Sequence, residues 1–149
     1  MKPQASSPDR SRLLGRVRQR DTGAELAVGK ELRALGLRYR KNVRSLAGSP
    51  DFANLTRGWA IFVQGCFWHA HTGCSRATVP RNNREFWLEK FARNRRRDAK
   101  AIRSLRGSGL TVLLIWECEI HEARRRLTKL SHRGERGSSE SAQNSLHGT

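Results

Sequence analysis

No apolar stretch in this 149-residue chain reaches the roughly 18 residues that a transmembrane helix requires. Nor is there a strongly basic amphipathic segment with an aromatic face, the kind that lies on a membrane surface. Residues 1–20 carry six basic side chains but no apolar run of signal-peptide type, which argues against secretion. Cysteine is scarce and odd in number: Cys66, Cys74 and Cys118. Three thiols make a poor disulfide framework, and in a reducing compartment metal ligation explains them better. Acidic residues are few, 13 against 30 basic ones, for a formal net charge of +17 and a sequence pI near 11.5. Such an excess repels itself in the compact state and calls for a polyanionic partner. With a membrane disfavoured, that partner is nucleic acid, and the dominance of Arg over Lys suits bidentate phosphate and guanine contacts.

What remains reads as one domain with polar ends. Residues 1–20 form a basic, flexible arm and the Ser, Gly, Arg and Glu content from Ser131 onward predicts a disordered tail, leaving 21–130 as the folded unit. Thr22 followed by Glu25 is a capping-box spacing that opens a helix carrying Leu26, Leu32 and Leu35 and closed by Gly36. Leu37–Val43 predicts a strand, with Leu37 and Tyr39 on alternate positions; Asp51–Leu55 predicts a shorter one, and Trp59–Val63 an apolar strand buried on both faces. A long helix is expected over Arg84–Arg106, apolar on one side and crowded with Arg and Lys on the other, ended by Gly107-Ser108-Gly109. Leu110–Trp116 reads as a second apolar strand and 119–130 as a last short helix. Helix, three strands, helix, strand, helix is an α/β order with a mixed sheet and one crossover.

Between the central strand and the long helix, 64–83 has neither helical nor strand period, and an irregular stretch of that length needs something to organise it. It holds Cys66, His71 and Cys74, and Cys118 ends the last predicted strand. Three thiolates and one imidazole complete a tetrahedral Zn²⁺ shell with no position left for substrate, so the ion would be structural. The competing readings are three buried thiols beside an incidental imidazole, and His69 as the ligand in place of His71. Asp51, at the start of its strand, is placed to hold Mg²⁺ through oxygen. His69, fixed between proposed zinc ligands, is placed to take a proton from an attacking water, and Glu25 to bind a metal-ligated water; Asp51 as a turn cap and Glu25 as a helix cap are the plainer alternatives. Trp59 and Trp116, inside apolar strands, are expected in the core, whereas the loop position of Phe67 and Trp68 gives no obvious burial.

Gly65-Cys66-Phe67-Trp68-His69 with His71 and Cys74, then Glu85-Phe86-Trp87-Leu88-Glu89-Lys90, Asn94, Arg97-Asp98 and Val112 to Cys118 resemble the very-short-patch repair (Vsr) DNA mismatch endonucleases. Thr22…Glu25 and Pro50-Asp51-Phe52 do so too, and the likeness spans about residues 18–120. It implies a restriction-endonuclease-like mixed sheet flanked by helices, and a Mg²⁺-dependent nick 5′ to the T of a T·G mismatch left by deaminated 5-methylcytosine. Asp51 and the Val63 backbone carbonyl would bind Mg²⁺, with His69 the general base and Glu25 an accessory acid. Cys66, His71, Cys74 and Cys118 would hold structural Zn²⁺, and Phe67, Trp68 and Trp87 would wedge into the base stack beside the mismatch, where unstacking is cheap. A monomer acting on double-stranded DNA in a bacterial cytoplasm follows, with mismatch-repair proteins as further partners.

The chain departs from the family pattern at Val63, where a polar residue is usual, at Gln64, where a His is frequent, at Ser49, where a basic residue is common, and by one residue added between His71 and Cys74. Val63 still offers a carbonyl, but Gln64 cannot relay a proton. These departures keep two alternatives in view: a catalytically silent, zinc-stabilised DNA-binding module, and a related restriction-type nuclease.

Overall fold

The computed structural model describes residues 22–132, so the arm, Asp21 and the tail beyond His132 lie outside the described residues. Helix α1 (Gly23–Ala34) starts where the Thr22 hydroxyl accepts the Glu25 amide at 3.3 Å. It ends in a left-handed Gly36, φ +69°, with the Leu37 amide reaching back to the Leu32 carbonyl. Glycine adopts that conformation without the Cβ penalty that other residues meet.

The sheet has four strands in the order β1 (Arg40–Lys41), β2 (Phe52–Asn54), β3 (Trp59–Gln64) and β4 (Thr111–Trp116). The first three are antiparallel neighbours, and β3 pairs with β4 in parallel through the long crossover helix α2 (Arg84–Gly107). The α/β class with a mixed sheet is therefore as expected. Strand β1 is only two residues, shorter than the seven-residue segment predicted. Leu37 and Tyr39 pack against the core as anticipated, but the ladder with β2 covers two residues, and beyond it Asn42, at φ +48°, and Val43 keep only amide hydrogen bonds to the Asp51 and Pro50 carbonyls. Beyond β4, a 3₁₀ turn (Glu117–Glu122) precedes helix α3, residues 123–132. The last helix thus begins later than the sequence suggested and reaches His132, the last described residue.

Side chains alternate across a strand, and here both faces are covered. Trp59, Ile61, Ile115 and Phe52 face α1 and α3, meeting Val28, Leu32, Ala123, Leu127 and Leu130 in the larger core cluster. Ala53, Ala60 and Val112 face α2 and pack on Leu105. The period of two also puts Asp51, Phe62 and Gln64 on the α2 side. Trp59 is core, as expected; its Nε1 is the one buried side-chain polar atom left without a partner among the described residues.

Candidate active site and metal cluster

The parallel register builds the cluster. Gln64 pairs with Trp116, so Cys66 and Cys118, each two positions further along, emerge side by side from the ends of β3 and β4. Glu117 ties the two exits together by accepting the Cys66 amide at 3.1 Å. The loop then curls so that the His71 amide reaches the Cys66 carbonyl at 2.9 Å and the Cys74 amide the His71 carbonyl at 3.3 Å. The ligand atoms of Cys66, His71, Cys74 and Cys118 all lie within 4.8 Å of one another.

This donor set fits Zn²⁺. His71 Nδ1 is 3.6 Å from Cys66 Sγ and 3.4 Å from Cys118 Sγ. A tetrahedral ion with ordinary Zn–S and Zn–N bonds sets that edge at about 3.6 Å. As free thiols the group would be badly placed. Burial, then the neighbouring Cys118 and Cys74 sulfurs, push Cys66 up to about 12, while the Arg76 amide beside Cys74 lowers its thiol. A divalent cation would remove that conflict by binding thiolates outright. His71 is the imidazole of the set, not His69. Trp116 is half-buried, with its ring stacked on His71 at 4.0 Å and 6°, so the expectation that it sits in the core gives way to a role clamping the ligand ring.

His69 goes elsewhere. Ala70, at φ +46°, turns the chain sharply between the two histidines, and Arg95 of α2 donates to its carbonyl. A non-glycine residue in that region is strained and persists only when its surroundings hold it. His69 then meets α2, where its Nδ1 lies 2.6 Å from Asp98 Oδ2. Its ring lines a polar cleft of about 370 Å³, together with Ser49, Asp51, Phe62, Gln64 and Arg97. Asp51 Oδ2 accepts the Val63 amide at 2.7 Å, which fixes the carboxylate across β2 and β3. Burial raises the Asp51 pKa, opposed by that amide and by the positive charge His69 can carry. Gly48 shapes the rim: at φ +73° its backbone lies so near α2 that a Cβ there would stand 2.6 Å from that of Ala101.

The structure thus brings Asp51, Val63 and His69 into one cleft. Glu25 is only 5 % exposed in the first turn of α1 and is not among the residues lining the cleft. Phe67, Trp68 and Trp87 do come together, but not as bare loop rings: Phe67 sits edge-on to Trp68, Trp87 and Phe91 at 5.1, 5.7 and 5.4 Å, and Phe91 is core. The loop therefore does have burial to account for its aromatics, against the surface of α2. Asp98, Arg97 and Asn94, which holds the Trp68 carbonyl, were not singled out as site residues from the sequence. Asp98 left one signal: it is the only acid between Lys90 and Gly107.

The DNA mismatch endonuclease Vsr family model matches residues 5–76. The DNA mismatch endonuclease Vsr of Escherichia coli K12 is 40% identical over 119 residues, 80% of this chain and 75% of that protein. A type II nicking enzyme of Neisseria meningitidis is 36% identical, over 81% of this chain and 88% of its own length. Another, from Xanthomonas oryzae pv. oryzae, is 37% identical over 78% and 85%. By these relatives, and with the mixed sheet and thiol–imidazole cluster in place, the chain belongs to the Vsr family of DNA mismatch endonucleases.

Proposed function

We propose that this endonuclease nicks one strand of duplex DNA on the 5′ side of the T in a T·G mismatch, by Mg²⁺-dependent phosphodiester hydrolysis, in very-short-patch repair of deaminated 5-methylcytosine. The observation that carries the reading is the convergence of Asp51 and an Asp98-paired His69 on one polar cleft. A carboxylate oriented by the Val63 amide suits a hard, oxygen-seeking cation, with the Val63 carbonyl as a further ligand. When bound, Mg²⁺ would offset the charge that develops on the phosphate and leaving oxygen.

The chain's own groups divide the remaining work. Asp98, holding Nδ1, stabilises the tautomer whose proton is on that nitrogen and leaves the Nε2 lone pair for the attacking water. His69 then takes that water's proton at Nε2, and Asp98 steadies the imidazolium that results. Arg97, on the lip of the cleft, is placed to meet a phosphate oxygen, and the Gln64 amide can donate a hydrogen bond there without relaying a proton. Glu25 is assigned an accessory part, holding water near the cation; only its burial supports this. Phe67, Trp68 and Trp87 form one aromatic cluster where the loop preceding His69 meets α2, suited to replace the stacking lost at a mispaired step. Zn²⁺ in the cluster would hold the loop that carries His69, Phe67 and Trp68 against α2, which carries Trp87. No helix among the described residues is long and apolar enough to cross a membrane, and the reading places a monomer on bacterial cytoplasmic DNA.

The test is a strand-labelled nicking assay with Mg²⁺ on otherwise identical T·G, T·A and C·G duplexes. The reading expects one nick, in the T strand of the T·G duplex. Equal cutting of all three would make the protein a restriction-type nuclease, and binding without cutting would make it a silent module.

A further inference from the structure

The chain has two runs of arginine, and they differ in how their charge is used. In α3, Arg124 pairs with Glu31 at 2.6 Å, Arg125 with Glu122 at 2.9 Å and Arg126 with Glu119 at 3.5 Å. That run is neutralised within the protein. In α2, Arg95 is committed to the Ala70 carbonyl and Asp98 to His69, while Arg93, Arg96, Lys100 and Arg103 are exposed and form no ion pair among the described residues. At 3.6 residues per turn these four and Arg97 fall within about 120° of helix surface. That arc lies opposite the buried Phe91, Ala101 and Leu105. From Arg93 to Arg103 the row rises about 15 Å, a length over which one strand of B-DNA presents about four phosphates. Arg97, midway along the row, lines the cleft, so the row passes the reaction site and extends from it along the helix in both directions.

We propose that this outer face of α2 is a phosphate-binding track for the duplex that flanks the cleft, with Arg93, Arg96, Lys100 and Arg103 as its contacts. The proposal rests on the reading of the cleft as the DNA site and adds the path the duplex takes away from it. The charge is unpaired on this helix because its partner is another molecule, whereas the α3 run serves cohesion. Keeping like charges together on one helix face costs stability unless something repays it, since pairs three or four residues apart repel.

The experiment is equilibrium binding of a labelled, fully matched duplex to the full chain across a salt series, with circular dichroism to check folding. Each phosphate contact contributes about 0.9 to the slope of log K against log salt, so R93Q/R96Q/K100Q/R103Q should lower the slope by roughly 3 to 4. The R124Q/R125Q/R126Q control should change it by less than about 1. An unchanged slope in the α2 variant overturns the track, and equal losses in both variants overturn it too, by making net charge the cause. Should the fourfold variant misfold, Arg96→Gln and Arg103→Gln are each expected to remove about 0.9, and no change in either overturns the track. If the α2 substitutions abolish binding to phosphatidylserine vesicles and spare the duplex, the occupant is a membrane and the track is wrong. Failure of the DNA reading itself is distinguishable: the unaltered chain would then show no steep salt dependence at all.

Discussion

The cysteine–histidine cluster and the cleft sit side by side at the C-terminal ends of β3 and β4, fed by the same loop, yet they are built on opposite rules. The cluster is closed. Three thiols, Cys66 among them fully buried, and one imidazole face one another, and a stacked Trp116 covers the imidazole. The cleft is open and lined largely by hard or polar groups, with Asp51 and His69 held from behind by the Val63 amide and by Asp98. His69 and His71 are two positions apart and serve different sites because Ala70 turns the backbone between them. The comparison teaches that stability and chemistry are separable here at the level of single residues: damage to the cluster should loosen the protein, and damage to the cleft should silence it while leaving it folded.

The largest effect should come from the closed side. Apparent binding free energies of structural zinc sites are about 10–16 kcal/mol, more than most domains have to spare. Cys118→Ser, or a strong chelator, should therefore lower the melting temperature sharply and release 65–83 to proteolysis, with nicking lost as a consequence. An unchanged melting curve after chelation would erase the distinction between the two sites. Next, on the open side, His69→Ala should cut the nicking rate by roughly 10²- to 10⁴-fold, the usual worth of a positioned base, at near-native melting temperature.

Asp98→Asn should cost less, about 10- to 100-fold, as removing an orienting partner generally does. It should also alter the pH dependence of the rate, because the imidazolium loses its counter-charge. A purely structural Asp98 would lower the melting temperature and leave the pH profile alone. The smallest effect is a stability effect in the cleft. Burial raises the Asp51 pKa in the folded chain above its unfolded value. Ionised Asp51 therefore works against folding, and its contribution is favourable only at low pH and is lost as pH rises through the folded-state value. Without divalent cations, Asp51→Asn should modestly raise the melting temperature at neutral pH, and the gain should vanish in acid. A loss of stability at neutral pH would show that the carboxylate is held for cohesion instead.

Much of the cluster was legible in the sequence because its chemistry is local: Cys66, His71 and Cys74 lie within nine residues, and Cys118 ends an apolar run. The fourth ligand follows from the parallel pairing of β3 and β4, which two apolar strands joined by a helix already implied. The sequence put His71 in the shell but left His69 open as the competing imidazole, because what separates the two is one left-handed residue, Ala70. The partnership of His69 with Asp98 spans 29 residues and requires knowing which face of α2 lies against the loop. Strand β1 was overread because alternation in Leu37–Val43 reports burial, and pairing needs a neighbour that β2 supplies for only two residues. Phe67 and Trp68 showed no burial in the sequence because Phe91, the buried anchor on which Phe67 packs, belongs to a helix whose packing the local sequence does not reveal.

The most direct measurement pairs T·G nicking with thermal melting in Asp51→Ala, in the presence of Mg²⁺ and with zinc content verified. The account predicts a loss of nicking on the order of 10³-fold or more, since the residue would hold the charge-stabilising cation, with zinc retained and the melting temperature undiminished. A variant that still nicks at the wild-type rate, or one that loses nicking only because it has lost zinc and unfolded, would contradict it.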